Sequence, residues 1–153
     1  MSKTKTAKSH VPADTQSITP QLVVKGARAF ADKLVDVFGA EKLAEYPNPD
    51  GSIMFAVVRI GDSKLFLSDA GGFAQPTKGN VFVYVPDVDA AVAKLAACGG
   101  KVLAPPSDMF WGDRWALVED PSGNQWQIAT HQQALSVDEV RERMSAAAAP
   151  PAE

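Results

Sequence analysis

Two stretches of this chain echo each other at a fixed distance. "DVFGAEKL" (36–43) resembles "AACGGKVL" (96–103), and "FAVVR" (55–59) resembles "WALVE" (115–119). Gly39 and Gly99 lie 60 residues apart, and so do Phe55 and Trp115. The turns "IGDS" (60–63) and "DPSG" (120–123) keep the same offset. Shared landmarks at one spacing mark a duplicated unit, and a duplication restricts the fold more than composition does.

Each copy reads in the same order. A β-branched and aromatic run opens it, "ITPQLVV" (18–24) in the first and "NVFVYV" (80–85) in the second. An amphipathic helix follows. In the first copy Ala27, Phe30, Ala31, Leu34 and Phe38 fall on one helical face, and Gly39 stands where a helix commonly ends. In the second, Asp87 is a suitable N-cap, Val88, Val92 and Leu95 form the stripe, and Gly99-Gly100 ends it. Three strands come next, near 41–47, 52–60 and 64–69, then 101–104, 113–119 and 124–130. The expected fold class is α+β, with tandem βαβββ modules at 18–70 and 79–131. One such module cannot cover both faces of its own sheet. The two sheets are therefore expected to join into one curled mixed sheet around a cavity, with the helices outside.

The segments outside this repeat read differently. Residues 1–17 are polar and basic without the apolar run of a secretory signal, and are expected to be a disordered arm. Ser136 and Glu139 have capping-box spacing, so a C-terminal helix is expected within 132–146, with Val137, Val140 and Met144 along one side for docking on the domain or a partner chain. Residues 147–153 read as a disordered tail. A net charge of −3 and a pI near 5.4 argue against nucleic acid or an anionic membrane as partner. Cys98 is the single cysteine, which allows no intrachain disulfide and fits a reducing, cytoplasmic setting.

The tandem order joins specific strings. "VPDVDAAVAKLAACGGKV" resembles the second-half strand end and helix of the vicinal oxygen chelate superfamily, the glyoxalase, bleomycin-resistance and dioxygenase group, and "DPSGNQWQI" resembles its last turn and strand. "IGDSKLFLSD" and "FWGDRWALVEDPSGNQWQIATH" are most similar to its PhnB-like branch. The resemblance implies paired modules around a cavity, often completed in a homodimer. Metal-using members line that cavity with four His, Glu or Gln ligands. The matching positions here are Asn80 and Gln127, with Leu67 and a position near Thr19 in the first copy. Phe55 and Val57 stand where PhnB-like relatives often carry His and Glu. Neutral amides are poor anchors for a transition metal without imidazole or carboxylate beside them. His10 lies in the arm, and His131 reads as a solvent-edge or hydrogen-bonded residue. The expectation is a site without metal or cofactor.

Alternation along strands then divides the side chains. Asn80, Phe82 and Tyr84 face the cavity with Gln125, Gln127 and Ala129, while Val81, Val83, Val85, Trp126 and Ile128 face the helices. Phe55 shares a face with Val57. Trp111 and Arg114, in an element similar to the "WG-x-R" of bleomycin-binding relatives, form a rim, and "PPSDMF" (105–110) is a loop or irregular strand suited to a lid. The expected ligand-binding set is Phe55, Asn80, Phe82, Tyr84, Trp111, Arg114 and Gln127, holding an aromatic or amphipathic small molecule. Three alternatives stay open. One is a metal-dependent lyase, isomerase or dioxygenase. Another is a metal-free enzyme using Asp113, Tyr84 or Glu119 as acid or base. The last is an interaction module whose cavity is plugged by Phe55, Phe66, Phe82 and Tyr84.

Overall fold

The computed structural model describes residues 5–72 and 74–150. The expectations for 1–4 and 151–153 lie outside the described residues. The first module runs β1 (Gln21–Val24), α1 (Ala27–Phe38), β2 (Glu41–Pro47), β3 (Ile53–Ile60) and β4 (Ser63–Asp69). The second repeats it as β5 (Asn80–Tyr84), α2 (Val88–Ala97), β6 (Lys101–Asp108), β7 (Asp113–Glu119) and β8 (Gln125–His131), and α3 (Val137–Ala148) follows. The strand orders are β1-β4-β3-β2 and β5-β8-β7-β6. In each, the first strand pairs parallel with the last and the other pairings are antiparallel.

The two copies start their helices with the same device and different chemistry. The Ala27 amide donates to the Asp69 carboxylate at 2.7 Å, and the Val88 amide donates to the Thr130 hydroxyl at 3.0 Å. Each bond ties the end of a module's last strand to the first turn of its helix. Both pairs are 61 residues apart, whereas Val57 and Leu117, which hold matching places in β3 and β7, are 60 apart. The second copy is therefore one residue shorter between its helix start and third strand, and one residue longer in its last turn. That longer turn is built around Asp120. Its Oδ1 accepts from the amides of Ser122 and Asn124, and its Oδ2 accepts from Trp126 Nε1 at 3.0 Å.

Strand alternation puts the dry side of each sheet in register. In the first, Leu22, Val24, Ala56, Val58, Leu65 and Leu67 are buried, as are Ala27, Phe30, Ala31, Leu34 and Val37 of α1. Val37 thus closes the helical stripe, and Phe38 is half-buried. In the second, α2 packs against β6, β7 and β8, burying its Val88, Ala91, Val92 and Leu95 with Val83, Val118, Trp126 and Ile128 of the sheet.

The strands form two four-stranded mixed sheets, neither of them a closed barrel, in the expected α+β order of tandem βαβββ modules. The outer strands β2 and β6 carry prolines at one edge of each sheet. β2 ends in Pro47, and β6 carries Pro105 and Pro106 across a register shift between Ala104 and Ser107. A proline has no N–H to offer a neighbouring strand. Residues 105–108, expected as a loop or irregular strand, thus form the irregular end of an edge strand. At the C-terminus the Ser136–Glu139 capping box forms as expected, yet no residue of α3 is buried, and Val137 and Met144 are exposed. The apolar side of that helix has not docked on the domain. In the arm, Lys64 Nζ donates to the Thr15 hydroxyl at 3.0 Å, so residues near 15 lie along the β3–β4 hairpin.

Asp120 is 3% exposed, and Asp120→Ala removes the acceptor shared by the amides of Ser122 and Asn124 and by Trp126 Nε1. The expected loss is about 3 kcal/mol in a denaturant titration, since each stranded buried donor costs about 1–3 kcal/mol before relaxation. Ser136→Ala, on a helix that buries nothing, is expected to change the same midpoint by less than about 0.5 kcal/mol.

Candidate functional site

The side of the second sheet turned away from α2 carries the polar and aromatic residues. Phe82 is opposite Gln127, Tyr84 opposite Ala129, Leu117 opposite Gln127, and Asp113 opposite His131. Asn80, Phe82 and Tyr84 are on this face with Gln125 and Gln127, as the alternation predicts, and Trp126 and Ile128 are fully buried on the other. Phe82 and Tyr84 lie 5.2 Å apart between ring centroids, with 43% and 59% of their surfaces exposed. Two large rings left that open on one strand are available to stack on something else.

A hydrogen-bonded chain crosses this face. Trp115 Nε1 donates to Gln127 Oε1 at 3.1 Å, and Gln127 Nε2 donates to Asn80 Oδ1 at 3.0 Å. The two amides are fixed by these bonds, so their orientation is set before any ligand arrives. A cleft of about 360 Å³ opens at this end of the sheet, lined by Lys78, Gly79, Asn80, Glu119, Gly123 and Gln125.

At the other end stands Asp113, 2% exposed. Its Oδ2 accepts from the Tyr84 hydroxyl and from Trp111 Nε1, each at 3.0 Å, and its Oδ1 lies 2.8 Å from His131 Nδ1. A buried carboxylate is costly unless donors surround it, and here three side chains do so. Trp111 reaches the carboxylate because the chain turns sharply at Gly112, where φ is +100°. A Cβ on Gly112 would sit 2.5 Å from the Gln133 carbonyl oxygen, so only glycine fits. The Trp111 ring meets Trp115 edge-on at 5.9 Å and Phe110 at 5.1 Å. Trp111, Trp115, Phe82 and Tyr84 thus share one surface, pinned by Asp113 at one end and by Gln127 at the other.

One expected site residue, Arg114, lies on the other side of this sheet. Arg114 follows Asp113, so alternation turns it to the helix side. There its Nε and Nη2 bind the Asp89 carboxylate at 2.7 and 3.0 Å, and its Nη1 reaches Asp108 at 3.2 Å. That bidentate pair holds Asp89 below the usual carboxylate range, chiefly through the Arg114 hydrogen bond. Arg114 therefore braces α2 against β7, away from the face that carries Trp111. Phe55 belongs to the first sheet. It packs edge-on against Phe66 at 4.8 Å and tilts toward Tyr46 at 6.2 Å, on the side opposite the buried Val58 and Leu67.

The sheet pairing also corrects one matched metal position. Phe66 pairs with Val57 as Gln127 pairs with Leu117, so Phe66 is the counterpart of Gln127, and Leu67 is buried on the helix side. The extra residue in the last turn of the second copy causes the shift. The four matched positions are then Thr19, Phe66, Asn80 and Gln127: one hydroxyl, one ring and two amides already bonded to each other. Among the described residues no three His, Cys, Asp or Glu side chains come together as a metal-binding group. This donor set does not fit a divalent transition metal.

Sequence reading missed the junction at Asp113. Tyr84, Trp111 and His131 meet there from three places in the chain, and pairing between strands brings them together. The period-2 alternation that placed Gln127 also puts Trp115 and His131 on its face, a signal that was available for both.

A strand–helix–three-strand unit used twice, each sheet dry on one side and polar-aromatic on the other, defines a class of paired-module proteins. The chain belongs to the Glyoxalase/Bleomycin resistance protein/Dioxygenase superfamily, whose profile matches residues 16–128. It is 31% identical over 140 residues to "Uncharacterized protein Rv0887c" of Mycobacterium tuberculosis (strain ATCC 25618 / H37Rv), covering 84% of this chain and 82% of that one. Among solved structures it is similar to TioX from Micromonospora sp. ML1, with a TM-score of 0.61, 27% identity, and coverage of 79% of this chain and 100% of that one. It is also similar to TnmS3, an antibiotic binding protein from Streptomyces sp. CB03234, with a TM-score of 0.58, 27% identity, and coverage of 84% and 100%.

The Asp113 junction has a titration signature. Partial burial, then the hydrogen bond to Asp113 and its charge, hold the Tyr84 phenol above the ordinary tyrosine range. A group whose pKa is raised by folding stabilises fully below its unfolded value, and that contribution is lost as pH rises through the folded one. Alkaline difference spectroscopy is expected to show a phenol ionising later than free tyrosine, with stability falling across the same window, and Tyr84→Phe is expected to abolish that late step.

Proposed function

We propose that this chain is a small-molecule-binding protein that holds a planar or amphipathic ligand on the aromatic and amide face of its second sheet, without a metal ion. The observation that carries the reading is the grouping of Trp111, Trp115, Phe82 and Tyr84 around polar groups already fixed by Asp113 and Gln127. Rings supply stacking and apolar burial, and pre-oriented amides supply direction at little cost in entropy. The named activity of TnmS3, antibiotic binding, supports the same class of ligand. The metal-dependent alternative is disfavoured by the chemistry at Asn80, Gln127, Thr19 and Phe66. The PhnB-like placement within the superfamily rests on the strings around "IGDS" and "WGDRW". Working as a homodimer in a reducing, cytoplasmic compartment belongs to the proposal as well. Exposed Leu43, Tyr46 and Met54 in the first module offer apolar surface for such contact.

The test is a ligand screen read by tryptophan fluorescence on protein before and after exhaustive chelation. A planar aromatic ligand is expected to saturate at one site with the same affinity in both samples. Trp115→Ala is expected to weaken it about tenfold, the worth of a good aromatic contact. Affinity that disappears on chelation and returns with added metal, or turnover of the ligand, contradicts the reading.

A further inference from the structure

We propose that His131 is the ligand-contacting hydrogen-bond acceptor of this face, and that it selects planar ligands carrying an acidic hydroxyl, a phenol or an enol. The proposal rests on the binding reading above and names the ligand chemistry it implies.

The geometry fixes which nitrogen of His131 holds hydrogen. Asp113 receives the Tyr84 hydroxyl and the Trp111 indole N–H on Oδ2, and His131 Nδ1 lies against Oδ1 at 2.8 Å. A carboxylate oxygen accepts, and a ring-nitrogen lone pair facing Oδ1 at that distance would meet repulsion instead of a bond. His131 must therefore donate from Nδ1, and the neutral ring then presents its lone pair at Nε2. The side chain of His131 is 58% exposed, and among the described residues Nε2 has no hydrogen-bond partner.

The polar groups around Asp113 and Gln127 are committed to one another. Tyr84 and Trp111 spend their hydrogens on Asp113, Trp115 spends its hydrogen on Gln127 Oε1, and Gln127 donates to Asn80 Oδ1. That leaves the imidazole as the acceptor still open at the Asp113 end of the face, whereas the Glu119 carboxylate stands at the Asn80 end. The imidazole is also beside the rings, because His131 and Trp111 bind the two oxygens of one carboxylate. A flat ligand lying against Trp111 has its edge at Nε2. A hydroxyl on that edge gains a bond, whereas a methoxy group in its place leaves Nε2 desolvated and unpaired.

The test compares 7-hydroxycoumarin with 7-methoxycoumarin, which share a ring system and differ in the hydrogen they can donate. Both are titrated into the full chain by tryptophan quenching, and the absorbance of the bound hydroxycoumarin is recorded for the red shift that accompanies a strong O–H···N bond. The expected result is about fivefold or greater preference for the hydroxyl probe, the worth of one hydrogen bond, with a red-shifted band. His131→Phe keeps a ring at the position and is expected to abolish both the preference and the shift, because methoxycoumarin no longer leaves an acceptor unpaired. His131→Gln, whose amide oxygen accepts, is expected to restore part of the preference. Equal binding of the two probes by the unmodified chain, or a preference that survives His131→Phe, overturns the acceptor role and leaves the aromatic-face reading standing. If neither probe quenches tryptophan up to millimolar concentration, the aromatic-face reading falls and the acceptor proposal falls with it.

Discussion

Strands β1, β3, β4, β5, β7 and β8 each serve two environments, and side chains alternate between them. One side must be aliphatic to pack under a helix, and the other is free to be polar. β5 states the constraint most simply: Val83 is buried, while its neighbours Phe82 and Tyr84 are open. β8 repeats it with Trp126 and Ile128 against the helix side and Gln125 and Gln127 away from it. The helix side makes the module stable. Because that job is finished there, the opposite side can carry exposed rings and amides with no structural duty in the core.

The polar side still has to hold its shape in water. It does so with two anchors of different character. Gln127 links Trp115 to Asn80 through neutral hydrogen bonds, and Asp113 links Tyr84, Trp111 and His131 through an ion. A buried carboxylate with several donors is expensive to disturb, so it defines positions sharply. Asp113 thereby couples the end of β5, the Gly112 corner and the end of β8. The same corner packs on Gln133, which leads from the last strand toward α3. The site is thus assembled from segments that are distant in sequence and close only through strand pairing.

Much of this was legible in the chain itself. The copied unit predicted two βαβββ modules, and the "VFVY" and "QWQI" alternations predicted which residues face the helices. Arg114 went astray because "FWGDRW" was read as one rim, whereas Asp113 and Arg114, as neighbours in a strand, point to opposite sides. Leu67 was matched with Gln127 because a constant repeat spacing was assumed, and the extra residue in the Asp120 turn breaks it. The Asp113 junction could not be read from spacing, because its members meet only after β7 is registered against β8 and β5 beside it.

The measurement that tests the account most directly is a nitrogen–proton NMR titration of the three tryptophan indoles with a planar aromatic ligand. Each indole N–H has a different partner: Asp113 for Trp111, Gln127 for Trp115 and the buried Asp120 for Trp126. If the polar side of the second sheet is the binding surface, the Trp111 and Trp115 signals move together with one saturation curve while Trp126 stays still. Movement of Trp126 alone, or saturation that leaves Trp111 and Trp115 unmoved, contradicts it.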